Sequence, residues 1–372
     1  MELLEGAPVA LGGPRGFAVT RTLPNRRRRM VGAWCFLDAY GPHDLGDSEG
    51  MRVGPHPHTG LQTVTWLLAG EVLHRDSLGN LQEIRPGRLN LMTAGRGISH
   101  SEETPRDHSP VLHGVQLWVA LPHAARDQPP SFAHHADLPV VHIGGAGAIG
   151  MQAAEVGGTS EDGVDVAANV GVAGADRVQA AEIGGASRSG VDESAEVGGA
   201  SAGEAAFDGG AGESRSGVTA TVLMGTFAGA TSPARCYTPL VGAELALAPS
   251  ARVELPLRPD FEYALLALDG APSVDDATLK PGPLLYLGAG RTSVTVATGS
   301  SSRLLLLGGE PFEERLVMWW NFVARDHDEI VQMRADWADH TPRFGEVRGY
   351  DGPPLPAPPM PISRLVPRGR VR

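Results

Sequence analysis

Lysine is all but missing from this chain: Lys280 is the single one among 31 basic residues, and the rest are arginine. With so much alanine and glycine beside the arginine, the bias reads as that of a GC-rich bacterial genome and says nothing about chemistry. Cysteine is nearly as scarce. Cys35 and Cys236 are the only two, too few and too far apart for a disulfide framework, so buried, reduced thiols of a cytoplasmic protein are expected. No run of about 20 apolar residues occurs, which excludes a spanning helix of the usual kind. The opening MELLEGAPVALGGPRG lacks a basic stretch followed by an apolar core, so no signal peptide is expected.

A basic face is missing too. The formal charge is −12 over 372 residues, but it is unevenly spread. Between Gly144 and Val218 stand twelve acidic and three basic residues, which leaves the remainder only mildly acidic. Nucleic acid is therefore not an expected partner, and neither is a membrane. The run Arg26–Arg29 lies between strand-like segments and reads as a solvated turn.

What is present is β pattern. FAVTRTL, TVTWLLAGEVLHR, RLNLMTA, HGVQLWVAL and LPVVHI are rich in Val, Leu, Thr and Trp, and the breaks between them carry Gly, Pro, Asn and Asp. Residues 15–143 thus read as an antiparallel sandwich or barrel. From 219 to about 310 the pattern returns as TATVLMGTFAG, ELALA, ARVELPL, YALLALDG, PLLYLG, SVTVAT and RLLLLGG, a second copy of the same architecture. DHDEIVQMRADWADH, from Asp326, spaces Ile330, Met333 and Trp337 as the buried face of a helix packed across the barrels. The proline-rich tail from Tyr350 should be extended or disordered.

Residues 144–218 differ in kind. Phe207 is the only aromatic residue there, and AEVGG at 154–158 returns as AEIGG at 181–185 and as AEVGG at 195–199. A segment so poor in large apolar side chains cannot offset its ordering entropy by burial, so a disordered acidic insertion is expected. Gly145-x-Gly147-x-x-Gly150 matches a dinucleotide fingerprint, but no helix pattern follows it, so it reads as a chance match in a glycine-rich stretch.

Against this background PHPHTG at 55–60 stands out. On a strand, His56 and His58 point to one face. GRGISHSEETP at 95–105 offers a second pair of the same period, His100 and Glu102. Three imidazoles and a carboxylate from facing strands make a ligand set that suits Fe(II) and would also take Mn, Ni, Co, Cu or Zn. Four protein ligands leave room for oxygen or substrate on a six-coordinate ion. The other histidines lack this pairing: His74 has no partner two residues away, and His134 and His135 are adjacent and so point to opposite faces. No histidine occurs between His142 and His327, so the second barrel cannot hold a histidine-based metal.

PHPHTGLQTVTWLLAGEVLHRDSLGN, PGRLNLMTAGRGISHSEE and GVQLWVALP, with LLLLGGEPFEERLVMWWNFVARDHDEI near the end, resemble the pirin family over roughly 15–143 and 219–345. The resemblance implies an all-β chain of two cupin barrels facing each other, with a C-terminal helix. The implied domains are a metal-binding cupin at 1–143, the insertion 144–218, a metal-free cupin at 219–345 and a tail at 346–372. It implies one metal, usually iron, on His56, His58, His100 and Glu102, with Glu103 facing away. It also implies a quercetin-type flavonol 2,3-dioxygenase, in which the substrates are a flavonol and dioxygen and Glu102 accepts the 3-hydroxyl proton. The alternative within the family is a non-catalytic, iron-dependent regulator acting through a protein partner. A monomer is expected. Thr59, Gln62 and Arg88 depart from the family's common residues and leave the pocket's charge open. Trp66 and Trp118 are read first as core packing and second as pocket lining.

Overall fold

The structure, a computed structural model, describes residues 1–11, 17–144 and 217–370. The expected insertion, and the glycine fingerprint at its start, lie outside the described residues except for Gly144, Gly217 and Val218. The described chain is almost wholly β and folds as two sandwich-like barrels.

In the first barrel a seven-stranded sheet runs in the order Ser131–His135, Leu89–Thr93, Leu61–Ala69, Val111–Ala120, Trp34–Asp44, Phe17–Leu23, Ala7–Leu11. It faces a four-stranded sheet, Arg52–His58, Ile98–Glu103, Val72–Asp76, Leu81–Ile84. The second barrel repeats the plan with a larger sheet centred on Gly217–Phe227, Leu240–Leu247, Ser302–Gly309 and Glu262–Asp269. Its interior is built from leucine and valine, among them Leu245, Leu255, Leu265, Leu304 and Leu306, as the histidine-free sequence requires.

Two strands from the first part of the chain cross over. Glu2–Leu4 pairs with Leu284–Gly288, and Val140–Gly144 pairs with Gly217–Phe227. The sheet boundary therefore does not coincide with the break read in the sequence at residue 143. A short strand pattern shows that a segment pairs, not what it pairs with.

Leu61–Ala69 is buried along seven consecutive residues instead of alternating. One face looks into its own barrel and the other packs on the second barrel, the pattern of a strand covered on both sides. Trp66 lies on the outer face and donates its indole N–H to Glu244 (2.7 Å). Trp34 does the same at Val241 O (3.0 Å) and Gly308 O (3.2 Å). Gly242 makes room for it: a Cβ there would fall 2.8 Å from the Trp34 ring.

The helix His327–Ala338 starts on an Asp326 cap that accepts from Glu329 N–H, and it buries Ile330, Met333 and Trp337 as the spacing predicts. It reaches the first barrel through Arg126–Glu329 and through the Thr59 hydroxyl against Met333 Sδ. The tail is extended, and it is held in place: Leu355 N–H donates to Pro55 O (2.8 Å), and the Trp337 indole to Leu355 O (2.8 Å). No helix among the described residues is long and apolar enough to cross a membrane. Cys35 and Cys236 form no disulfide, and burial pushes the Cys35 thiol up to about 12.

Candidate functional site

The four-stranded sheet carries the histidines. On its strand Ile98–Glu103, His100 lies opposite His56 on one side and Asp76 on the other. A bulge follows, and Glu102 then lies opposite Val53 and His74. The period-two reading holds: His56, His58, His100 and Glu102 all line one cavity of about 570 Å³. Glu103 turns away and pairs with Arg75 and Arg52.

The hydrogen-bond partners assign each ring's proton. A carbonyl oxygen can only accept, so His56 donates from Nδ1 to Gly54 O (2.9 Å) and His58 from Nδ1 to Asn321 O (3.2 Å). Asp76 takes the His74 Nε2–H (3.2 Å), which leaves His74 Nδ1 as an acceptor for His100 Nδ1–H (3.3 Å). All three rings therefore keep a bare Nε2. The candidate donor nitrogens of His56, His58 and His100 lie within 4.8 Å of one another, so the three could hold a metal ion. His58 and His100 bring theirs to 3.1 Å; two facing lone pairs repel at that distance unless a cation sits between them.

Burial reinforces this state. It drags His56 down to about 4, and it holds His58 and His100 well below the ordinary imidazole range, so the rings stay neutral. Glu102 is buried, and its Oε1 has no hydrogen-bond partner among the described residues. Burial pushes this carboxyl up, and the neighbouring His74 pulls against it. The structure does not bring all four expected ligands into one close group: the three rings form one, and Glu102 joins only His100 and His74, although it lines the same cavity. Three bare imidazole nitrogens sharing a cavity with an orphaned carboxylate oxygen nevertheless fit a divalent metal.

His74, His100 and Glu102 form a second close group. His74 is not free to bind an ion there, because both its nitrogens are engaged. Burial works against the charge of Asp76, but hydrogen bonds from His74 and Asn80 outweigh it and keep Asp76 below the usual carboxylate range. The chain Asp76–His74–His100 is thus a carboxylate–imidazole support behind a candidate ligand. The sequence reading left His74 without a partner two residues away, and that is corrected here: Asp76 is that partner. A search for ligand pairs passes over His-x-Asp because the pair serves the ligand instead of the ion.

Sequence reasoning also missed Asn321. It lies in the turn between Val317–Trp319 and Phe322–Ala324, which docks on the first barrel through Val323 N–H to Thr59 O (3.1 Å). Its contribution is a backbone carbonyl, which no residue-type pattern reveals. Leu355 and Pro356 of the tail and Trp320 of the same turn complete the cavity wall. Trp118 both lines the cavity and packs, stacked on Phe36 at 3.9 Å and edge-on to His58 at 5.1 Å. Trp66 packs only. Thr59, Gln62 and Arg88 are not among the residues lining the cavity; Gln62 instead bridges the barrels, donating to Thr93 Oγ1 and Arg235 O.

Comparison with known proteins fits this architecture. The Pirin family model matches residues 16–119, and the Pirin C-terminal cupin domain model matches 242–345. A Pseudomonas aeruginosa protein, named provisionally as a quercetin 2,3-dioxygenase, is 39% identical over 94% of this chain and 88% of its own length. A pirin-like protein of Caulobacter vibrioides is 31% identical over 91% and 94%. Among solved structures, the quercetin 2,3-dioxygenase of Acinetobacter baumannii superposes with a TM-score of 0.76 at 34% identity, covering 100% of this chain and 98% of that one.

Proposed function

The chain belongs to the pirin family, and on that premise we propose that it is a metal-dependent flavonol 2,3-dioxygenase. His56, His58, His100 and Glu102 would hold the ion, Fe(II) first among the candidates. One observation carries the reading: the three bare Nε2 atoms cluster in a cavity that an unpartnered Glu102 oxygen also lines, walled by Phe36, Trp118 and Trp320. The names of the relatives in Pseudomonas and Acinetobacter agree with it.

Bound there, the ion supplies a Lewis acid for the flavonol's 3-hydroxyl oxygen and a redox centre for dioxygen. The protein supplies the rest. The cavity is large enough for a three-ring aromatic molecule, and its aromatic and aliphatic walls strip water from the rings. Glu102 would accept the 3-hydroxyl proton once its carboxylate loosens from the ion; burial makes it a stronger base than an exposed glutamate. Asp76 and His74 hold His100 in the tautomer that keeps Nε2 bare. Overall, flavonol and one dioxygen give a depside and carbon monoxide.

The test is elemental analysis of the purified protein, followed by oxygen uptake and carbon monoxide release on a flavonol panel. The proposal expects about one ion per chain and matched uptake and release. Iron-loaded protein that consumes no oxygen with any flavonol would replace this reading with a regulatory one, in which the metal serves binding to a protein partner.

A further inference from the structure

The wall facing the histidines has an unusual floor. In register across four neighbouring strands stand Arg21, Asp38, Gln116 and Thr65. A sandwich interior is normally apolar, and a polar row inside one demands partners for every member. Most of the demand is met internally. Arg21 grips Asp38 with two hydrogen bonds, Nε to Oδ1 (2.8 Å) and Nη2 to Oδ2 (2.7 Å). The Thr65 hydroxyl donates to Gln116 Oε1 (2.9 Å). What remains is donors only. The bonds to Asp38 and Thr65 use the other atoms of these side chains, so Arg21 Nη1 and the Gln116 amide NH₂ are left to the cavity, which both half-buried residues line.

The Arg21 guanidinium is also held in place. Its Cζ lies 4.4 Å from the centre of the Phe36 ring, and Phe36 stacks on Trp118, which abuts His58. Guanidinium, phenyl and indole thus form one column running from the cavity wall to the candidate metal ligands. Asp38 is fully buried and fixes the guanidinium in its plane. A cation pinned on two sides presents its last N–H groups to a ligand with little further loss of freedom.

We propose that Arg21 and Gln116 form an oxygen subsite of this cavity, which takes an acidic oxygen carried by an aromatic ligand at a distance from the atoms that meet His56, His58, His100 and Glu102. The ligand chemistry is an arene bearing an ionisable phenol or a carboxylate. Unmatched donors beside a fixed positive charge select an anionic acceptor and reject a ring without one. The subsite rests on the cavity taking an aromatic molecule, as in the function proposed above, but it does not depend on that molecule being oxidised.

The experiment is therefore binding without turnover. Affinities of metal-loaded protein are measured anaerobically, by tryptophan fluorescence and calorimetry, for 3-hydroxyflavone, 3,7-dihydroxyflavone and a 3-hydroxyflavone carrying a ring carboxylate. Wild type should bind one or both of the oxygen-bearing ligands about tenfold or more tighter than the parent; which of them gains separates phenol from carboxylate recognition. R21Q alone would leave Asp38 buried without its cation, so the variant is the neutral pair R21Q/D38N, checked for folding by thermal melt. It should lose that discrimination while keeping its metal and its affinity for the parent. Q116M, which removes the second donor without touching the ion pair, should narrow the discrimination separately. Equal wild-type affinity for all three ligands overturns the proposal, and so does discrimination that survives in both variants. Discrimination without oxygen consumption would keep the subsite and remove the dioxygenase.

Discussion

His74 stands directly opposite Glu102 in the sheet and takes the Nδ1–H of His100 at 3.3 Å, while its other nitrogen is tied to Asp76. One side chain thus backs two candidate ligands without being a ligand itself. Replacing His74→Phe or Asp76→Asn should lower metal affinity by about 10–100-fold, the usual cost of losing such support. A competitive chelator titration measures this directly. Unchanged affinity in both variants would mean that the His100 tautomer is set by something else.

Acid should unfold the metal-free protein early. His56, His58 and His100 are neutral in the fold, with pKa values depressed by burial, His56 to about 4. The unfolded chain takes up protons near pH 6.5, so stability present above that value is lost as pH falls towards 4. For His56 alone this amounts to roughly 3 kcal/mol. Glu102 works the other way, since its raised pKa removes stability as pH rises from the ordinary glutamate value, but it is one group against three. Urea midpoints of the metal-free protein should be lower at pH 5 than at pH 7. A midpoint that rises on acidification would contradict the neutral cluster.

The tail forms part of the cavity wall. Leu355 lines the cavity, packs against the buried cluster that holds Val19, Tyr40 and Val53, and is hydrogen-bonded to Pro55. Leu355→Ala should weaken flavonol binding by a few-fold to about tenfold and leave metal content as it is. Binding titrations that match wild type would show that the ligand does not reach this wall.

The insertion leaves and rejoins the fold at one point, because Gly144 and Gly217 are cross-strand partners. Replacing residues 145–216 by Asn-Gly should close a two-residue hairpin in the same register. We expect the melting temperature and metal content of that variant to match those of the full chain. A fall of more than about 10 °C would mean that the segment contributes to the core.

Much of this was legible in the sequence for a physical reason: strands alternate. His56, His58, His100 and Glu102 could be placed on one wall by parity alone, and Glu103 on the other. The two barrels showed in runs of Val, Leu and Thr broken by Gly and Pro, and the helix in the spacing of Ile330, Met333 and Trp337. Other features had no local signature. Val140–Gly144 looks like any short strand, and its partner lies beyond the insertion. Asn321 acts through a carbonyl 263 residues from His58. Thr59, Gln62 and Arg88 raised a question about pocket charge, yet the charge at the wall comes from Arg21, paired with Asp38 across one register position. Pairings of that kind belong to the folded sheet and cannot be read along the chain.

The central claim is that the four side chains hold an ion at which a flavonol is opened, with Glu102 as the base. Carbon monoxide released per bound metal, in wild type and in Glu102→Gln, tests it most directly. The glutamine can still offer an oxygen to an ion but is a far weaker base. The account predicts steady release from iron-loaded wild type and a loss of about 100-fold or more per bound metal in the variant. Normal release per metal in Glu102→Gln would contradict it.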